Sequence, residues 1–189
     1  YPTYKFMLTE YGADANIGHQ TEYLGESLNW GKPYYPETFQ TKLHEYQWSV
    51  ISQHPYIIAS YLWNMFDFGA AHRTEGEIAG KNDKGLVTFD RKFKKDAFYF
   101  YKANWNKTEP FVYVADRRLT HREKPEQTVK IYSNCNEVEL FVNGKSQGKR
   151  SGEYGMFVWE KVNLEKGKNV FTAKVAKPRL TDEVEVYLD

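Results

Sequence analysis

The sequence predicts two folds in succession, an α/β segment over residues 1–109 and an all-β segment over residues 110–189. Three observations carry this. Apolar runs of strand length alternate with helix-period segments through the first part, with long polar loops between them. Short runs of alternating apolar and polar residues, separated by turn signals, fill the second. Between the two styles lies NKTEP (106–110), a polar linker ending in proline.

KFMLTEYG (5–12) reads as a short buried strand, and residues 13–35, polar and aperiodic, as a long loop. A helix is predicted over 36–54. Pro36 suits its first position, Glu37 sits near its positive end, and Pro55 stops it. Phe39, Leu43, Tyr46 or Gln47, and Val50 fall on one face, with Ile51 beside them. YIIASYLWNMF (56–66) reads as a second buried strand, GAAHRTEGEIAGKNDKG (69–85) as a second long polar loop, and LVTFD (86–90) as a short extended piece. KKDAFYFYKANW (94–105) is a helix with Ala97, Tyr101 and Trp105 in a row at fourfold spacing. The long loops follow the strands. In a (β/α)8 TIM barrel such loops build the active-site face, and catalytic side chains sit at strand C-terminal ends. Glu10 and the Trp63–Asp67 stretch occupy such positions. Two βα units are present where a barrel has eight. The segment is therefore expected to need a partner, either the rest of a barrel or another copy of the chain.

The second part contains FVYVAD, QTVKIYS, EVELFVNG, GMFVWEKVNL, KNVFTAKVA and DEVEVYLD. Asn143-Gly144 is the strongest hairpin signal in the chain, and NLEKGKN (163–169) holds another turn. The expected fold is an immunoglobulin-like β-sandwich without the Cys–Trp–Cys framework of antibody domains.

Composition narrows the function. With 26 basic and 25 acidic residues, there is no electrostatic case for a nucleic acid or an anionic membrane. No apolar run approaches the ~20 residues that span a bilayer. One cysteine, Cys135, rules out an internal disulfide and a cysteine-rich zinc site, and leaves the compartment open. The start at Tyr1, without a signal-like segment, reads as a piece of something longer. Aromatics reach 17%. They supply core, and exposed ones also stack on the apolar face of sugar rings.

Four stretches carry candidate chemistry. In FMLTEYGAD (6–14) an apolar run ends on Glu10. That carboxylate is a solvated strand end, half of a structural ion pair, or an acid held at a sheet rim for nucleophilic or base chemistry. In YLWNMFDFGAAHR (61–73) Trp63 offers a sugar platform or a core tryptophan, Asp67 is a candidate substrate contact, and His72-Arg73 reads as a polar loop pair. In GKNDKG (80–85) Asn82 and Lys84 suit hydroxyls or a substrate carboxylate, or form a plain polar turn, and no phosphate-loop pattern is present. The histidines lack metal-ligand spacing, and no metal or cofactor is expected. In EYGMFVWEK (153–161) alternation puts Phe157 and Trp159 on one face, which is core or an exposed sugar-stacking strip.

Taken together, TEYGAD, YLWNMFDF and NDKGLVTFDRKFKKDAFYFYKANW resemble the end of the catalytic barrel of glycoside hydrolase family two, the β-galactosidase and β-glucuronidase family. VKIYSNCNEVELFVNGKSQG resembles the immunoglobulin-like module that follows that barrel. The resemblance covers nearly the whole chain and is nearest to enzymes labelled β-galactosidases. It implies a retaining exo-β-glycosidase with Glu10 as nucleophile and Trp63 lining the sugar site. Asn82 and Lys84 match the Asn-x-Lys that contacts the uronate carboxylate in β-glucuronidases. The implied partner is therefore a carbohydrate, a β-galactoside or a β-glucuronide. The family's acid/base glutamate follows an asparagine after an earlier barrel strand. The one Asn-Glu here, Asn136-Glu137, lies in the sandwich and reads as a turn. The chain is thus expected to hold half of a catalytic pair.

Overall fold

The computed structural model describes residues 3–23 and 34–189. The middle of the predicted 13–35 loop, residues 24–33, and the first two residues lie outside them. The chain is mostly β, with few helices, and divides into two compact units, Tyr1–Phe98 and Tyr99–Asp189.

In the first unit, strands β1 (Phe6–Tyr11) and β2 (Ile57–Leu62) pair in parallel, with Phe6 opposite Ile57 and Tyr11 opposite Leu62. The helix α1 (Glu37–Ser52) lies between them in sequence. Both strands form where the apolar runs predict, but they are not buried as expected. Phe6 is 52% exposed, Ile58 56% and Tyr61 54%. Parallel strands bury their side chains only when both faces are covered, and this pair has no third strand among the described residues.

Helix α1 buries a stripe one residue along from the predicted one, with Phe39 and Leu43 of the predicted face half-buried. Tyr46 and Val50 are exposed, whereas Glu37, Thr38, Gln40, Thr41 and His44 are buried along with Ile51. The buried side meets loop backbone, which needs polar partners. Gln40 Nε2 donates to the Ala13 carbonyl at 2.8 Å and to the Gly85 carbonyl at 3.3 Å. Glu37 Oε1 accepts from the Asp96 N–H at 2.7 Å, so this carboxylate caps the start of α2 (Asp96–Trp105).

The 69–85 loop is more ordered than its composition suggests. Strands β3 (Phe68–Gly69) and β4 (Lys81–Asn82) pair antiparallel, Phe68 opposite Asn82, around a 3-10 turn at Glu75–Glu77. The predicted extended piece 86–90 reduces to bridges at Val87, which pairs with Phe66 and Lys94.

The second unit is a two-sheet sandwich. Strands β5 (Val112–Val114), β7 (Glu126–Ser133) and β10 (Met156–Asn163) make a three-stranded sheet in the order β10-β7-β5. Strands β6 (His121–Arg122), β8 (Glu137–Val142), β9 (Lys145–Ser151), β11 (Gly167–Val175) and β12 (Leu180–Leu188) make a five-stranded sheet in the order β6-β12-β11-β8-β9. Between them lie Val114, Ile131, Val138, Leu140, Phe157, Trp159, Phe171 and Val186. The Asn143-Gly144 turn joins β8 to β9 with both residues at positive φ, +49° and +79°, the backbone that a two-residue hairpin of this type requires.

Candidate functional site

Glu10, Trp63, Asn82 and Lys84 come from three separate stretches and line one cleft of about 440 Å³ in the first unit, with Tyr11, Gly12, Phe68, Ala70, His72 and Arg73. Local structure explains the convergence. Pairing of β1 with β2 sets Glu10 and Trp63 at neighbouring strand ends, and the Trp63 N–H donates to the Tyr11 carbonyl at 2.8 Å. The Gly12 α-carbon approaches Trp63 so closely that a Cβ there would lie 2.4 Å from its carbonyl oxygen. The β3–β4 ribbon then folds back and brings Asn82 beside Phe68.

Glu10 is exposed, and no hydrogen bond or ion pair among the described residues engages its carboxylate. Of the three readings of that residue, a structural ion pair is the one the geometry does not support. Trp63 is 43% exposed and meets Phe68 edge-on, ring centroids 6.0 Å apart, which leaves it accessible from the cleft. Asn82 is buried, and its Oδ1 accepts the Lys84 N–H at 3.0 Å, closing the Asn-Asp-Lys turn. Lys84 Nζ lies 3.9 Å from Asp14 Oδ2. Arg73 is held at the rim by a loop closed through hydrogen bonds from Ala70 N to Gly80 O and from Gly80 N to Arg73 O, each 2.8 Å. The cleft wall thus offers one carboxylate, two cations, an aromatic face and an amide.

Asp67 does not join this cleft. It is buried, and its Oδ1 accepts from Lys95 Nζ at 2.9 Å and from the Gly85 N–H at 2.9 Å. Gly85 packs so tightly there that a Cβ would lie 2.0 Å from the Asp67 nitrogen. Lys95, wholly buried, also donates to the Ala15 carbonyl at 2.7 Å and to the Asp83 carbonyl at 2.8 Å. Burial pushes the Asp67 carboxyl up, opposed by the Lys95 charge, and lowers the Lys95 ammonium, opposed by Asp67. Nothing in the lysine-rich run KFKK marks Lys95 as a core residue, because such runs are ordinarily solvated.

The sandwich holds no matching candidate among the residues singled out. Phe157 and Trp159 are buried in its core, so they form no exposed stacking strip. Glu137 of the Asn-Glu pair binds Lys149 Nζ across β8 and β9 at 2.8 Å, a cross-strand ion pair. No helix among the described residues is long and apolar enough to cross a membrane.

Comparisons with known proteins agree with this picture at the level of family. A family model described as a domain of unknown function (DUF4982) matches residues 125–177. A β-glucuronidase of Bacteroides fragilis is 49% identical over 98% of this chain. A solved Bacteroides fragilis structure, provisionally named a β-galactosidase, superposes on all of the chain with a TM-score of 0.94 and 53% identity, over 28% of its own length. An FMN-binding β-glucuronidase of Faecalibacterium prausnitzii matches 96% of the chain and 26% of its own, with a TM-score of 0.84 and 38% identity. The chain spans 27% of the length of the first of these relatives. Its homologues are therefore β-glucuronidases and β-galactosidases of glycoside hydrolase family two.

Proposed function

We propose that this chain supplies part of the catalytic apparatus of a retaining exo-β-glycosidase, with Glu10 as nucleophile. The observation that carries this is the meeting of a strand-end carboxylate, unpaired among the described residues, with an exposed tryptophan and the Asn82–Lys84 turn in one cleft. Glu10 attacks the anomeric carbon, the glycosidic bond breaks, and the sugar stays on Glu10 as an ester until water releases it. Trp63 stacks on the ring, and Asn82 and Lys84 bind its substituents. Retaining enzymes place a second carboxyl about 5–5.5 Å from the first. Glu10 is the one carboxylate among the described residues lining the cleft, so in this reading the acid/base comes from outside the described residues. In this reading residues 1–109 are the last part of a (β/α)8 barrel and residues 110–189 an immunoglobulin-like module. The exposed flanks of β1 and β2 are where the rest of the barrel, or another copy of the chain, packs.

The sugar we assign is a β-glucuronide, a shift from the galactoside nearest to the sequence resemblance. Two cations, Lys84 and Arg73, line the cleft with one carboxylate among the described residues, a balance that suits an anionic sugar. A β-galactoside remains the second reading, favoured by Asp14, which lies 3.9 Å from Lys84 Nζ and offsets its charge. The test is hydrolysis of nitrophenyl β-glucuronide and β-galactoside by a full-length enzyme carrying this sequence. The glucuronide is expected to be preferred, and Lys84→Ala to remove the preference. Preference for the galactoside, unchanged in Lys84→Ala, overturns the assignment.

A further inference from the structure

We propose that Lys95 is a positioning residue, whose buried ammonium sets the sugar-selecting turn Asn82–Lys84 against the strand end that carries Glu10. The inference rests on reading the cleft as a sugar site and adds a residue that lies outside it.

An ammonium has three N–H donors, and each of Lys95's has an acceptor. One is the carbonyl of Ala15, on the segment that follows Glu10. Another is the carbonyl of Asp83, the centre of the Asn-Asp-Lys turn. The third is Asp67 Oδ1, on the segment that follows Trp63. One charged group therefore ties together all three stretches that build the cleft. With its donors used and its side chain inaccessible, Lys95 is not a substrate contact. The turn is anchored through its backbone. Neither carboxylate oxygen of Asp83 has a hydrogen-bond partner among the described residues, whereas the Asp83 carbonyl accepts from both Lys95 Nζ and the Ala15 N–H, the latter at 3.0 Å. Fixing that carbonyl fixes the peptide plane between Asp83 and Lys84, and because the Lys84 N–H of that plane donates to Asn82 Oδ1, the Asn82 side chain is held with it. Asp67 completes the device. It neutralises the ammonium and holds Gly85, the residue after the turn, through the Gly85 N–H.

The test uses the full-length enzyme. Lys95→Met alone strands a buried carboxylate and invites misfolding, so the informative variant is Lys95→Met with Asp67→Asn. It removes the two hydrogen-bonded charges together, a change that buried pairs often tolerate, keeps an oxygen for the Gly85 N–H, and leaves the nearby buried Asp83 and Glu37 in place. Active sites are counted by mass spectrometry after trapping the glycosyl-enzyme with a slow 2-fluoro substrate, so that kcat refers to folded protein. KM for the preferred sugar is expected to rise about 10- to 100-fold, with a matching loss of glucuronide-over-galactoside selectivity and a smaller change in kcat per site. Asp67→Asn alone, which keeps all three acceptors of the ammonium, is expected to lose less. Fewer active sites with unchanged KM and selectivity means a purely structural role and overturns the inference. A double variant that does not fold overturns it as well, since the ammonium is then a folding requirement. Wild-type enzyme that neither turns over these sugars nor labels at Glu10 overturns the glycosidase reading itself, and the inference with it.

Discussion

At Gly12 the chain runs with φ +149°, and a side chain there would strike the Trp63 carbonyl. The spacing between Glu10 and Trp63 thus depends on a residue with no Cβ. Gly12→Ala is expected to cost about 1–3 kcal/mol of stability, read as a lower urea midpoint. His44, buried on α1, has its imidazole lowered to about 3, first by burial and then by the Lys95 charge. The unfolded chain takes up a proton near pH 6.5 that the folded chain refuses. His44 therefore removes stability as pH falls from 6.5 towards 3, by at most about 1.4 kcal/mol per pH unit, and adds no slope above that window. Asp67 and Asp83, both raised by desolvation, bind protons early in the fold and work in the opposite sense. Comparison with His44→Gln isolates the histidine. Between pH 7 and pH 5 the wild type should lose about 2 kcal/mol more than the variant, measured by calorimetry. At this scale the sequence is legible for Glu10 and Trp63, which are placed by strand ends. It is illegible for Asp67, which reads as a substrate contact but faces Lys95, and for Lys95, whose burial depends on segments far away in sequence.

Among elements, the sandwich strands were readable because alternation and turn chemistry are local. Asn143-Gly144 and the 163–169 turn both appear where their residues demand. Their interlocking was not readable. Asn169, wholly buried, closes its own turn by donating to the Glu165 carbonyl at 2.7 Å and accepting from the Glu165 N–H at 2.9 Å. It also accepts from Asn143 Nδ2 at 3.1 Å. Asn169→Ala leaves several of these groups unpaired and is expected to cost about 2–3 kcal/mol, measured by thermal unfolding. Helix α1 shows the opposite limit. Its existence and ends were legible, but its buried face was not, because periodicity says which residues share a stripe and not which side meets backbone. The β3–β4 ribbon was hidden by its polar composition, although it is what carries Asn82 to the cleft.

Taken as a whole, the chain has two units that differ in how far their apolar side chains are covered. The sandwich encloses a continuous apolar core. The first unit leaves Phe6, Met7, Ile58 and Tyr61 on the flanks of a two-stranded sheet. Apolar surface of this kind ordinarily marks an interface. In hydrogen exchange on the 189-residue chain, amides of β7, β8, β10 and β11 are expected to be the most protected and those of β1 and β2 among the least. Equal protection in both units would count against a missing partner. As the proposed nucleophile, Glu10 must become covalently bonded to the sugar. The most direct measurement is peptide mass mapping of a full-length enzyme carrying this sequence, after treatment with a slow 2-fluoro glucuronide. One added sugar is expected, on the peptide that contains Glu10, and none in Glu10→Gln. A label on another carboxylate, or turnover that survives Glu10→Gln, would contradict it.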